Sequence, residues 1–330
     1  MTQSANSVPF AGLTPETVLQ LAEAAGLAPD GRLFALNSYE NRVYRLGQEQ
    51  AAPVVLKFYR AGRWSDAQIL EEHAFTARLG AADIAVAPPL PLAGGDTLFR
   101  AAGFRMAAFP LVTGTAPELE QAGALALLGR TLGRLHQCGR ARPFRQRPAR
   151  DAARNSGRAR RVLLASPWLP AHCRARYEAI SAQLQAAVLA AFDTHPYAAL
   201  PIHGDCHLGN ILWTGQGPLF VDLDDCQTGP AIQDLWMFLS GSAEEQRHQW
   251  AQLLDGYEQF AHLDYGELHL TEALRALRML HYSAWIAERW DDPAFPRAFP
   301  WFTDVGFWER HVNDLAEQIG AVAEPPLLRA

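Results

Sequence analysis

Apolar and polar positions change rhythm along this chain. Before about residue 110 the apolar residues sit in short runs: Leu33 to Leu36, Val43 to Leu46, Val54 to Tyr59, Asp96 to Phe99 and Phe104 to Phe109. Such runs, rich in β-formers and set off by Pro, Gly and Asn, predict strands. Two helical patterns interrupt them. Thr14 can cap the first, with Pro15 at its first position and Gly26 to end it. Ser65 and Gln68 form a capping box for the second, which runs to about Gly80. Past Phe109-Pro110 the spacing becomes helical, with residues 118 to 137 carrying Leu125, Leu128, Leu132 and Leu135. Helices are expected from there on, apart from one strand-turn-strand between Ile211 and Val221. The pattern predicts an α+β fold in two lobes: residues 1–110 as an antiparallel sheet with one inserted helix, and residues 111–330 mostly helical.

Composition narrows the function classes. The chain has 330 residues, 49% hydrophobic and 19% charged, which is enough apolar material for a real core and excludes a disordered, coiled-coil or collagen-like chain. No apolar run reaches about 18 residues, so no membrane helix is expected. MTQSANSVPF lacks the basic start and apolar core of a secretory leader. A net charge of -6 argues against a nucleic-acid partner held by phosphate contacts. Cys138, Cys173, Cys206 and Cys226 form no C-x-x-C pair and read as reduced thiols. Nine Arg and one acid, Asp151, lie between Arg140 and Arg161. Without an aromatic platform beyond Phe144, that tract reads as a solvated face. One bias is sharper: of 29 basic residues only Lys57 is a lysine. Arg serves wherever a generic cation will do, so Lys57 marks a site needing a compact ammonium on a thin stem.

The chemistry concentrates in His203-Gly204-Asp205-Cys206-His207-Leu208-Gly209-Asn210, followed by Asp222-Leu223-Asp224-Asp225. A hairpin centred on Gln216 sets Asn210 opposite Asp222, beside Asp205. A hard cation such as Mg²⁺ takes oxygen ligands, so Asn210 and Asp222 can hold it, with Mn²⁺ as a substitute. Asp205 is then the base for an attacking hydroxyl. These are the needs of in-line phosphoryl transfer from ATP. A bland alternative makes them ordinary loop residues, yet H-x-D-x-H-x-x-N arises at a given start only about once in a million by chance. A zinc site from His203, His207 and an Asp is the other alternative, and Gly204 and Gly209 disfavour the helix it would need.

These segments resemble the catalytic loop of the aminoglycoside phosphotransferase and choline kinase group, built on the protein-kinase fold. Closer still, Leu36-Asn37-Ser38-Tyr39-Glu40-Asn41-Arg42-Val43-Tyr44, Ile69-Leu70-Glu71-Glu72-His73, Asp222-Leu223-Asp224-Asp225, Gln233-Asp234-Leu235-Trp236-Met237 and Asp292-Pro293-Ala294-Phe295-Pro296 resemble the bacterial stress response kinase A family. The likeness runs from about residue 14 to Leu327. It implies a monomeric, cytoplasmic, eukaryotic-type serine/threonine kinase linked to envelope and oxidative stress. By carry-over Asp205 is the proton acceptor, Asn210 and Asp222 are magnesium ligands, and Ser38 contacts the nucleotide. Lys57 touches the α- and β-phosphates and pairs with a helix Glu.

At about 100° per residue, Ile69, Phe75 and Leu79 define the inner face of that helix, which selects Glu72 and turns Glu71 roughly 95° away to solvent. Asp234 is expected to hold the catalytic-loop backbone and His203 to brace it, both as structural support. Cys206 reads as a small buried residue in preference to a redox switch. One departure is plain: the loop Asn37-Ser38-Tyr39-Glu40-Asn41 has no Gly, whereas phosphate-closing loops are usually Gly-rich. The sequence leaves two rivals. A small-molecule kinase for an aminoglycoside, choline or homoserine could use Trp285, Glu288, Trp290, Asp291 and Asp292 as a pocket for a cation. A non-catalytic nucleotide-binding scaffold rests on the Gly-free loop alone.

Overall fold

The computed structural model describes residues 9–326. Most of the segment read for a secretory leader therefore lies outside the described residues, as does Leu327. Thr14 caps α1 (Pro15–Ala24) by accepting from Thr17 N–H at 3.2 Å, with Pro15 at the first position. Strands β1 (Pro29–Leu36), β2 (Arg42–Gln48) and β3 (Val54–Phe58) follow, then α2 (Asp66–Ala81), β4 (Phe99–Ala101) and β5 (Phe104–Pro110). The five strands make one antiparallel sheet in the order β1-β2-β3-β5-β4. Ser65 and Gln68 close the predicted capping box on α2.

Within β3, Leu56 and Phe58 enter the core that α1 covers, together with Val18, Leu46 and Met106. Alternation then sends Lys57 to the opposite face of the sheet. Two boundaries differ from the sequence reading. The strand β1 begins four residues early, at Pro29, with a register shift before Leu33. The strand expected over Asp96 to Phe99 forms instead as β4, because Leu92 N–H bonds Asp96 C=O at 2.9 Å and commits that stretch to a turn.

The remainder is built on α3 (Ala124–Arg140), α4 (Ala152–Ala165) and α5 (Ala171–Thr194), the strands β6 (Leu200–Ile202), β7 (Ile211–Thr214), β8 (Gly217–Phe220) and β9 (Gln227–Gly229), and then α6 (Ala243–Tyr257), α7 (Thr271–Glu288), α8 (Ala294–Ala298) and α9 (Val305–Ala323). Helix α3 starts at Ala124, not at residue 118, since its apolar repeat begins only at Leu125 and Gly123 takes a left-handed φ of 82° before it. Glycine lets α3 and α6 meet backbone to backbone. A Cβ on Gly129 would stand 1.9 Å from Leu253 O, and one on Gly256 would stand 1.8 Å from Ala126 O. A single large apolar core fills this part, running from Leu128 and Leu132 to Trp250, Phe302 and Trp308.

Strands β6 and β9 were not anticipated. Each has three residues, too few for a visible period, and they pair across a long loop (Leu200 with Gly229, Ile202 with Gln227). The β7–β8 hairpin was anticipated, with a register wrong by one. Ile211 pairs with Phe220 and Thr214 with Gly217, so the turn is Gly215-Gln216 and the partner of Asn210 is Val221, whose N–H bonds Asn210 C=O at 2.9 Å. No helix among the described residues is long and apolar enough to cross a membrane.

Candidate active site

Two short pairings bring distant polar loops together. The segment 203–210 leaves β6, and Asp222 to Cys226 leads into β9, so the β6–β9 ladder sets these loops side by side. Gly204 has φ +89°, and a Cβ there would lie 2.2 Å from Asp225 O, so only glycine allows this approach. Asp234, fully buried, accepts the N–H of His203 at 2.6 Å and of Gly204 at 2.8 Å. His136 of α3 meets the same carboxylate at 3.1 Å and Tyr257 of α6 at 2.8 Å. His203 is buried too, and its Nε2–H donates to Val221 C=O at 3.0 Å, which ties the first loop to the second.

Asp205 then stands at the mouth of the first loop. Arg278 of α7 donates to its Oδ1, and His207 Nε2 lies 3.4 Å from its Oδ2. Burial raises its proton affinity, but His207 and Arg278 outweigh this and hold the carboxyl well below the usual range. Asn210 Nδ2 donates to Asp205 C=O at 3.0 Å. Asp222 takes a left-handed backbone, φ 56°, which turns its carboxylate out of the chain direction, with the side chain 52% exposed. Lys57 reaches from β3 to Asp222 Oδ1 at 2.8 Å and to Asp224 Oδ1 at 3.2 Å, over the ring of Tyr59. Burial works against the Lys57 charge, yet Asp222, Asp224 and Glu72 hold it well above an ordinary lysine. The chain's one lysine is thus charged inside the cleft.

Glu72 lies where the helix-face argument put it, on the buried side of α2 and 2% exposed. Its expected ion pair with Lys57 is not among the contacts of the described residues. Asp222 and Asp224 take that ammonium instead, Glu72 Oε2 has no hydrogen-bond partner, and burial pushes its carboxyl up. Glu71 was expected in solvent, and this is corrected: its carboxylate accepts the backbone N–H of Arg145, Gln146 and Arg147 at 2.7, 2.7 and 2.6 Å. That contact directs buried Arg147 over the face of Trp64, 3.9 Å away, and onto the carbonyls of Cys226 (2.8 Å) and Asp224. What distinguishes Glu71 from a surface acid is its contact with this distant loop, which spacing along the sequence does not show.

Asp224 of the Asp222-Leu223-Asp224-Asp225 motif has a role that the motif alone does not reveal. It is a buried hub, bound to Arg63 at 2.5 Å, to Lys57, and to Asn41 Nδ2 at 3.2 Å. Ser38 uses its hydroxyl to cap the β1–β2 loop, donating to Asn41 C=O at 3.0 Å. That Gly-free loop is held by charge. Glu40 meets Arg289 (3.0 Å), Arg60 (3.2 Å) and the indole N–H of Trp285, while Tyr39 packs 5.1 Å from Phe299. Asp292 is shared by Arg42 and Arg60, each at 2.6 Å, and Glu288 meets Arg158 at 2.8 Å. Of the residues suggested for a cation pocket, Trp285, Glu288 and Asp292 are therefore engaged by the protein's own arginines and loop, Trp290 packs against Trp168 and Phe302, and Asp291 is exposed. The Arg-rich tract is not a uniform solvated face either: Arg147 is buried, Arg158 pairs with Glu288, and Arg160 bonds Ser181 and Gln185.

The donor set suits a hard cation. Among the described residues Asn210 Oδ1 and Asp222 Oδ2 have no protein donor, and one carboxylate plus one amide oxygen is what Mg²⁺ takes beside phosphates and water. It does not suit zinc. His203 is bound to Val221, His207 Nδ1 accepts Gly209 N–H at 3.0 Å, and the Cys206 and Cys226 thiols are buried and pushed up. No group of three His, Cys, Asp or Glu among the described residues could hold a metal. Buried Cys206 sits with the small-core reading.

Comparison with known proteins agrees on fold and chemistry. The model of the "Phosphotransferase enzyme family" matches residues 33–271. A "Stress response kinase A" of Salmonella choleraesuis is 44% identical over 322 residues, covering 98% of this chain and 97% of its own. A "Serine/threonine protein kinase RdoA" of Salmonella typhimurium has the same identity and coverage. Among solved structures, an amicoumacin kinase in complex with AMP-PNP and Ca²⁺ superimposes with a TM-score of 0.73 at 20% identity, over 95% of this chain and 94% of that one. The fold is the two-lobe, protein-kinase-like α+β architecture expected from the sequence.

Proposed function

The chain belongs to the stress response kinase A family within the phosphotransferase enzyme family, and from that premise we propose that it transfers the γ-phosphoryl group of ATP to Ser or Thr hydroxyls of proteins in a bacterial stress response. The observation that carries this reading is the convergence of Asp205, Asn210 and Asp222 with Lys57 at one end of the β7–β8 hairpin. The nucleotide lobe is residues 1–110 and the catalytic lobe residues 111–330. Lys57 binds the α- and β-phosphates, Glu72 backs it, and Ser38 lies on the loop over the nucleotide. Asn210 and Asp222 would hold Mg²⁺, which when bound neutralises phosphate charge. Asp205 orients the acceptor hydroxyl and takes its proton. The new bond joins the acceptor oxygen to the γ-phosphorus. The bond from that phosphorus to the bridging oxygen breaks, and its electron pair leaves with ADP. His203 and Asp234 keep the loop backbone in place.

A protein acceptor is favoured over a cationic small molecule by the names of the relatives and by the engagement of Glu288 and Asp292 with arginines. The test is incubation with γ-labelled ATP, with and without a general protein acceptor, after chelation and re-addition of Mg²⁺, Mn²⁺ or Zn²⁺. Label on Ser or Thr with Mg²⁺ or Mn²⁺ is expected, reduced about 100-fold or more in Asp205→Asn, the usual worth of a general base. Full activity in chelator, restoration by Zn²⁺ alone, or near-normal turnover by Asp205→Asn would overturn the assignment.

A further inference from the structure

The base does not face the acceptor side alone. Arg278 projects from α7 onto Asp205 Oδ1 while its own side chain stays 41% exposed, and His207 covers Oδ2 at 3.4 Å. With the guanidinium on Oδ1, that oxygen is a weaker acceptor for the hydroxyl proton. Further cations lie nearby, alongside the half-exposed carboxylate of Asp222. Arg150 lies in the field of Asp234, Asp225 and Asp205, and its buried Nε has no hydrogen-bond partner. Arg275, one turn before Arg278, is pinned by Glu272 at 2.9 Å. Of the acids on this part of the chain, Asp225 is bound to Arg63 at 2.6 Å, Glu288 to Arg158, and Asp292 to Arg42 and Arg60, while Asp291 is exposed.

We propose that Arg278 is a specificity-determining residue, which leaves Asp205 for an acidic group of the acceptor, so that the favoured acceptor is a Ser or Thr flanked by Asp or Glu. This rests on the protein-kinase reading above. Exchanging one carboxylate for another costs little, because Arg278 meets Asp205 through one N–H only and its planar fork can meet an acceptor carboxylate through two. The exchange frees Asp205 Oδ1 for the hydroxyl proton at the moment the acceptor docks. A neutral acceptor gives Arg278 no such destination, and a cationic one is repelled by it.

The test uses three peptides identical but for the residues flanking one Ser: Asp/Glu, Ala/Gln or Arg/Lys. The purified full chain should phosphorylate the acidic peptide with kcat/KM about ten- to a hundredfold above the neutral one, the worth of a charge-assisted hydrogen bond. The basic peptide should rank last. Arg278→Ala should abolish the preference mainly through KM for the acidic peptide, Arg278→Lys should keep part of it, and Arg278→Glu should reverse it. An unchanged ranking in Arg278→Ala, or wild-type preference for the basic peptide, overturns this inference and leaves the kinase reading intact. Turnover of an aminoglycoside or choline with no phosphopeptide overturns both.

Discussion

At the scale of single residues, charge in this cleft is arranged around one buried ammonium. Lys57→Arg keeps the charge but brings a planar fork to a place shaped by Asp222, Asp224 and the ring of Tyr59. Most activity should be lost at an unchanged melting temperature, measured by labelled-phosphate transfer and calorimetry. The neighbouring acids of α2 should separate by a different criterion. Glu71 satisfies three backbone N–H groups, so Glu71→Gln should destabilise by about 1–3 kcal/mol, since an amide cannot accept them all. Glu72 has a carboxyl already pushed toward its neutral form, so Glu72→Gln should leave the melting temperature nearly unchanged while lowering transfer. Equal melting temperatures for Glu71→Gln and wild type would contradict this. The periodicity of α2 shows which face is buried, and Glu72 followed from it. It says nothing of a loop 74 residues away that needs an anion, so Glu71 was misread.

Among elements, the α3–α6 crossing carries the loop brace, because His136 of α3 reaches Asp234 and is itself held by the hydroxyl of Tyr257 on α6. Gly129→Ala puts a carbon against Leu253 O and should cost about 3 kcal/mol or more, as overpacking against backbone does. Gly320→Ala, in an exposed turn of α9 with nothing near its Cβ, should instead stabilise by about 0.5–1 kcal/mol. Urea midpoints for the pair check both signs. Elements with a local signature were legible: α1 and the capping box of α2, the strands about Lys57, and the existence of the β7–β8 hairpin. What escaped was non-local. Strands β6 and β9 exist only because they pair across a long loop, and the hairpin register depended on one residue of turn length that composition cannot count.

For the molecule as a whole, Glu267 offers a pH signature. It is 1% exposed and accepts Ile232 N–H at 3.0 Å, and burial pushes its carboxyl up to about 7. The folded state therefore holds a proton that the unfolded chain releases near pH 4.5. Stability from this group is complete below that pH and is lost as pH rises through about 7, on the order of 3 kcal/mol in all. The melting temperature of wild type should fall between pH 5 and 8 more steeply than that of Glu267→Gln, and parallel curves would exclude the effect. Lys57 has a different consequence at this scale. A chain with 28 arginines and one lysine offers amine-directed reagents a single side-chain target, and that target is 6% exposed beneath the proposed phosphates. Acylation by a nucleotide acyl phosphate should therefore add one label per molecule, on the tryptic peptide ending at Arg60, and competing ATP should suppress it. The same count leaves no other internal site for ubiquitin-like tags or lysine acetylation, so any such mark on this protein would report directly on an open cleft.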